Sequence, residues 1–194
     1  MRRHFSSMLL CGAITAMTLS AAVAQTNTAP KLPVAAAITY DATRSNFTSG
    51  NSFWMEGGSI QLTGDIAHHF AITADVAGMH SDNMHSSGVP LDMVTATFGP
   101  RFTWSLLHAR TSVFVQALAG EAFGFHSVFP GAVRAGDSAD SLAVKAGGGV
   151  NLALSPHIGL RAFEADWVRT ELPNSTTNVQ NNLRLGAGII LRFR

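Results

Sequence analysis

The pair His126-Ser127 is the first candidate for chemistry in this 194-residue sequence. A serine could attack an acyl group if a histidine took its proton and a carboxylate oriented the ring, with all three converging on one point. Neighbours along a chain seldom meet that geometry, so the pair reads better as part of a polar connection. A second candidate is Met79-His80-Ser81-Asp82-Asn83-Met84-His85, whose imidazoles, thioethers and carboxylate are all metal-ligand types. His80 and His85 stand five apart in a Ser-rich stretch with no further groups to orient them, which is the composition of a solvated loop. Trp54, Trp104 and Trp167 could stack on a ligand, but near the ends of long segments they suit interfacial anchors. The expectation is therefore a chain with no catalytic residue, metal or cofactor.

Composition narrows what must position the remaining polar groups. Apolar residues make up 46% of the sequence and charged ones only 13%, about half the usual charged share. A water-facing surface normally carries more charge, so the shortage points toward lipid. No run of Lys and Arg offers a track for phosphates, which argues against nucleic acid. Arg2 and Arg3 precede an apolar stretch from Met8 to about Leu19 and then Ala22-Val23-Ala24. That order is a secretory signal peptide, and a dozen apolar residues are too few to span a bilayer as a helix. The expected organisation is a signal peptide over 1–24, a polar periplasmic linker over 25–33 and one domain over 34–194. Cleavage leaves 11 basic residues against 12 acidic ones. Cys11, the only cysteine, lies inside the signal behind a bulky Leu10, so neither a lipidated N-terminus nor a disulfide is expected.

The mature chain alternates with period two. In the last segment Leu183, Leu185, Ala187, Ile189, Leu191 and Phe193 share one face, and Arg184, Gly186, Gly188, Ile190 and Arg192 share the other. Similar segments suggest eight strands near 34–43, 52–63, 66–78, 91–104, 110–123, 140–154, 157–170 and 180–193. Each runs about ten residues or more, enough to cross a membrane when tilted. Their connections alternate strictly. Thr63-Gly64-Asp65, Ser105 to His108 and Ser155-Pro156 are tight; Arg44 to Asn51, Met79 to Pro90, Phe125 to Ala139 and Glu171 to Asn178 are long and polar. Short periplasmic turns opposite extended outer loops are the asymmetry of an outer-membrane barrel.

In hydrocarbon every backbone N–H and C=O needs a partner within the protein, and only closure removes the edge strands. Apolar side chains should then face lipid and polar ones the lumen. The inward candidates form an interior ionic network of Asp41, Asp75, Arg101, Lys145, Arg161, Glu164, Asp166, Arg184 and Arg192. Gly147 and Gly149 are expected to make room for the long Arg and Lys side chains. A β-bulge near Ala162-Phe163 would turn Arg161, Glu164 and Asp166 all inside, and one at Gly57-Gly58 would bring Glu56 in. In the fifth strand the alternation sends Phe114 and Leu118 inward, against the polar trend. Trp54, Trp104, Trp167 and Phe193 are the expected interface aromatics.

Three stretches carry a family likeness: Phe98-Gly99-Pro100-Arg101-Phe102, Gly159 through Thr170, and the closing Leu185-Gly186-Ala187-Gly188-Ile189-Ile190-Leu191-Arg192-Phe193. With them the mature chain resembles the OmpA/OmpX-like eight-stranded outer-membrane β-barrel superfamily. The resemblance implies an all-β, antiparallel up-and-down transmembrane barrel, exported by the general secretory route to the outer membrane of a Gram-negative cell. It implies outer-membrane lipids and lipopolysaccharide as surroundings, and a terminal aromatic, here Phe193 followed by Arg194, as the signal to the barrel-assembly machinery. No peptidoglycan-binding domain is expected after the eighth strand. The functional expectation is a monomeric, non-enzymatic structural or surface-interaction barrel working through four outer loops, whose ligand the sequence does not name. The alternatives are a narrow porin-like channel, which needs a hydrated interior, and a lipid A-modifying acyl hydrolase using His126 and Ser127.

Overall fold

The computed structural model describes residues 33–46, 52–82, 89–106, 110–130, 136–174 and 177–193. The expected signal peptide, the linker apart from Pro33, His85 and Arg194 lie outside the described residues. The described chain forms eight strands: β1 (Val34–Ser45), β2 (Phe53–Ala67), β3 (Phe70–Ser81), β4 (Leu91–Leu106), β5 (Thr111–Phe129), β6 (Gly136–Ala153), β7 (Ile158–Thr170) and β8 (Gln180–Phe193). Each pairs antiparallel with the next, and β8 returns to β1 from Val34↔Phe193 to Arg44↔Leu183, closing the barrel. No helix occurs among the described residues.

Alternation fixes which face is which. Phe98 is 68% exposed on the outside while Asp75 is 0% exposed within. Every strand places large apolar residues outward, among them Ile38, Leu62, Val76, Phe102, Val115, Leu142, Phe163 and Ile189. Thr39, Gln61, Thr73, Arg101, Gln116, Lys145, Asp166 and Arg184 are buried on the other face. This inverts a soluble barrel, because a side chain contacting acyl chains loses nothing by being apolar.

Two bulges shift the parity of the inward face. In β7 the pairing to β6 slips where Val150 faces Phe163 and Asn151 faces Arg161. Ala162 and Phe163 both point outward there, while Arg161, Glu164 and Asp166 are all buried. In β5 the register to β6 slips between Phe125 and Phe129, and His126 has a positive φ of 53°. Ala122 and Gly124 face inward before it, Ser127 and Phe129 after it.

That second bulge corrects one expected loop. Phe125–Phe129 and Gly136–Ala139 continue the β5–β6 hairpin, so most of the stretch from Phe125 to Ala139 is strand. The parity change at His126 breaks the period-two pattern, which makes a bulged hairpin look like a loop. The expected turn at Thr63-Gly64-Asp65 is likewise strand, paired with Thr73, Ile72 and Ala71. The chain reverses at His68-His69 instead, where the Thr103 N–H donates to the His69 carbonyl at 2.9 Å. Extending the ladder satisfies backbone groups that an earlier turn would leave to solvent. Gly57-Gly58 makes no bulge: the β1–β2 register is unbroken, and Glu56 stays outside, accepting the Tyr40 hydroxyl at 2.9 Å. Met55 takes the inward place beside it.

Candidate functional site

The lumen is where the sequence-selected charges meet. Arg184 on β8 is the hub. Its Nη1 and Nη2 donate to the two oxygens of Asp75, each at 3.2 Å, and Nη2 also reaches Asp166 at 3.0 Å. Lys145 on β6 brings its ammonium 3.1 Å from Asp75 and 3.3 Å from Asp166. Arg161 pairs with Glu164 at 2.6 Å, an arrangement that the β7 bulge makes possible. Asp41 stands at the edge, 3.9 Å from Arg184. Among the described residues three cations, Arg184, Lys145 and Arg161, thus oppose four carboxylates in a buried space, where an unmatched charge would be costly.

Two neutral amides that charge-based reading misses join the halves. Gln61 accepts from Arg101 and Arg161 at 2.5 Å each, and donates to Glu164 at 2.7 Å. Gln116 accepts from Arg101 Nε at 3.2 Å and donates to Glu164 at 2.9 Å and Asp166 at 3.0 Å. Both amides turn their oxygen to the guanidiniums and their nitrogen to the carboxylates, the orientation that local charge requires. Their signal in the sequence was only a polar residue at inward parity.

Phe114 has a place as well. The Arg101 guanidinium carbon lies 4.2 Å from its ring centroid and that of Arg161 4.7 Å. An aromatic face attracts a desolvated cation, so a buried ring between two arginines lessens their repulsion. The glycines serve other neighbours than expected. A Cβ at Gly147 would meet Asp166 Oδ1 at 2.2 Å, and one at Gly149 would come 2.9 Å from the Phe114 ring. They make room for a carboxylate, a ring and the neighbouring β7 carbonyls of Ala165 and Phe163. Arg192 lies apart from the ion network: half-buried at the barrel mouth, it donates to the carbonyls of Ser155 and Ile158 at 3.4 Å each.

Above the ionic layer, toward the ends of the strands joined by the longer connections, the filling changes. Phe53, Met55, Ala77, Met79, Leu91, Met93, Phe129 and Leu172 form an apolar cluster inside the barrel. The Thr43 hydroxyl donates to Met79 Sδ at 3.5 Å. Thioethers suit this site because they fill irregular space without demanding a partner. At the rim beyond it, Asp92 lies between His80 and His126, with His126 Nδ1 at 2.5 Å. His80 Nε2 is 2.9 Å from Asp82. With a carboxylate at each ring nitrogen, His80 is held protonated above its usual range, first by Asp92 and then by Asp82; His126 and His80 hold the Asp92 carboxyl below its own. His126 therefore turns outward to Asp92 while Ser127 is buried, and the two do not make a base–nucleophile pair. Among the described residues no group of three or more His, Cys, Asp or Glu is placed to hold a metal.

The interface aromatics divide between the two ends. Trp54 and Trp167 sit near the loop ends of β2 and β7, Trp104 and Phe193 near the opposite ends of β4 and β8, and all four are exposed. Trp167 donates its indole N–H to Asn181 at 3.1 Å, leaving the ring face outward.

No family model and no curated protein matches the sequence. Solved structures do match. Neisserial surface protein A superposes with a TM-score of 0.61 at 15% identity, covering 82% of this chain and 97% of that one. The chain has the fold of the eight-stranded outer-membrane β-barrels. Ail, the attachment invasion locus protein of Yersinia pestis, solved with the heparin analogue sucrose octasulfate, gives a TM-score of 0.56 at 16% identity, covering 84% and 99% of the two chains. At such identities what this barrel shares with them is the path of the backbone; its lumen chemistry follows from its own residues.

Proposed function

We propose that the protein resides in the outer membrane as a monomeric, non-enzymatic barrel, with a structural or surface-interaction role carried by the four connections at its loop end. The observation that carries this reading is the inversion of the barrel: apolar side chains exposed on every strand, around a lumen filled by paired charges and a methionine-rich cluster. A lipid-facing band on all eight strands leaves no face in need of a second subunit, and it suits contact with lipid acyl chains and lipopolysaccharide. The same filling favours a support over a channel, since the ion pairs and the apolar cluster occupy the path a solute would take. The loop ends of β5 and β6 extend the hairpin well past the length a membrane requires, which suits presentation to the outside.

Three measurements test the proposal together. Protease applied to intact cells should cut within 46–52, 82–90, 130–135 or 171–179 and leave the strands whole. The purified barrel in planar bilayers should give no reproducible conductance steps. Stable steps that vanish on Arg101→Ala would install the channel in its place. A change in lipid A acylation that depends on Ser127, read by mass spectrometry, would make the protein an enzyme.

A further inference from the structure

The end of the barrel that bears the first and last strand termini, opposite the loop rim, opens into a cavity of about 290 Å³. Arg101, Arg161 and Arg192 line it, with Thr103, Ser112 and Asn151. Among the described residues Asp65 is the one carboxylate on its wall. We infer that this basin binds a small free oxyanion, of the phosphate or carboxylate class, on the remaining N–H donors of Arg101 and Arg161. The inference concerns the end away from the loops and stands whether or not those loops meet a partner.

Arg101 is the reason. It is buried, yet among the described residues no carboxylate oxygen lies within ion-pair distance of it, whereas Lys145, Arg161 and Arg184 each have one or more. Its hydrogen bonds go to neutral oxygens, those of Gln61, Gln116 and Thr63. Gln61 and Gln116 stand between it and the carboxylates, so its positive charge is left toward the basin. A guanidinium carries five N–H donors. Arg101 spends one Nη1 hydrogen on Thr63 and keeps the other. Arg161 spends Nε on Asn151 and Nη1 on Gln61 and Glu164, leaving its Nη2 pair without a protein acceptor. Arg161 is buried and lines the cavity, and that Nη2 is not among the enclosed atoms lacking a partner.

The two guanidiniums are also fixed in place. Phe114 lies against both, at 4.2 and 4.7 Å, which limits their rotation before any ligand arrives. Donors held in place on two separate guanidiniums favour a multi-oxygen anion over a halide, because such an anion can offer each donor its own oxygen. Hydroxyls from Thr103, on the same strand as Arg101, and Ser112, on the neighbouring β5, add donors to the lining. Asp65 works against an anion and sets an upper limit on its affinity.

The test uses the full barrel refolded in detergent micelles, observed through the arginine Nε–Hε resonances by NMR. Inorganic phosphate, acetate and chloride are titrated separately at constant pH and ionic strength. Saturable shifts at Arg101 and Arg161 with phosphate or acetate, absent with chloride, are the expected result; which of the two saturates first assigns the class. Arg101→Gln should weaken binding about tenfold, the loss of one charge-assisted contact. Asp65→Asn, outside the ion network, should tighten it several-fold and serves if Arg101→Gln fails to fold. Linear shifts equal for all three salts would mean a water-filled basin and overturn the inference, as would binding indifferent to Asp65→Asn.

Discussion

The lumen holds two fillings that meet at Arg184. On its inner side are Asp75, Asp166, Lys145 and Glu164, a set of charges in mutual contact. On the other side Arg184 borders Met79, Met93 and Ala77 across a gap of only about 10 Å³. Both fillings exclude solvent, yet they fail differently. Removing one member of the ionic set strands the others as buried charges, while trimming the cluster loses only contacts and volume. The barrel is thus specified by polar matching at mid-lumen and sealed by adaptable packing at the loop end.

The sharpest way to break that contrast is Arg184→Ala, which leaves Asp41, Asp75 and Asp166 facing too few cations. It should cost about 3–5 kcal/mol, read as a shift of the urea midpoint for the refolded barrel followed by tryptophan fluorescence. A cost below about 1 kcal/mol would mean that water compensates the charges and that the layer is not closed. In the cluster, Met55→Leu should cost less than about 1.5 kcal/mol, since shape and volume nearly match. Met55→Ala should cost about 2–5 kcal/mol through the space it opens. If Met55→Leu proved as damaging as Arg184→Ala, the cluster would be a specific site and the contrast would disappear.

The smallest effect belongs to the rim, beyond both fillings and past the last outward apolar residues of β3 and β4. The raised pKa of His80 gives stability that is complete below its ordinary value near 6.5 and is lost as pH rises through the higher folded value. The lowered pKa of Asp92 gives stability present above the ordinary carboxylate range and lost as pH falls through its folded value. The His80–Asp92–His126 contact should therefore be firmest at mildly acidic pH. Hydrogen exchange at the β3–β4 loop end should be slowest there, and His80→Gln should flatten the dependence. Unchanged exchange in that variant would mean that the cluster does not restrain the rim.

Much of this was legible along the chain. Leu183 to Phe193 announces its two faces, and Asp75, Lys145 and Arg184 lie on the inward parity because no other side of the strand tolerates them. The Ala162-Phe163 bulge was readable because three charged residues could share one face only if the period slipped there. The His126 bulge was not, since only Ser127 and Phe129 lay beyond it and neither residue type insists on a face. Phe114 looked misplaced because its partners, Arg101 and Arg161, come from other strands.

Period-two alternation in a chain poor in charge determined by itself that there is a barrel, how many strands close it and which side chains turn away from lipid, because the pleat sends successive residues to opposite faces whatever the rest of the chain does. Tertiary structure alone decided the partners: Arg184 with Asp75 across 109 positions, Arg161 with Gln61 across 100, and Arg101 with the amide oxygens of Gln61 and Gln116. Those pairings depend on the stagger of eight strands around a closed ring, and the stagger is set by register shifts that no single segment contains.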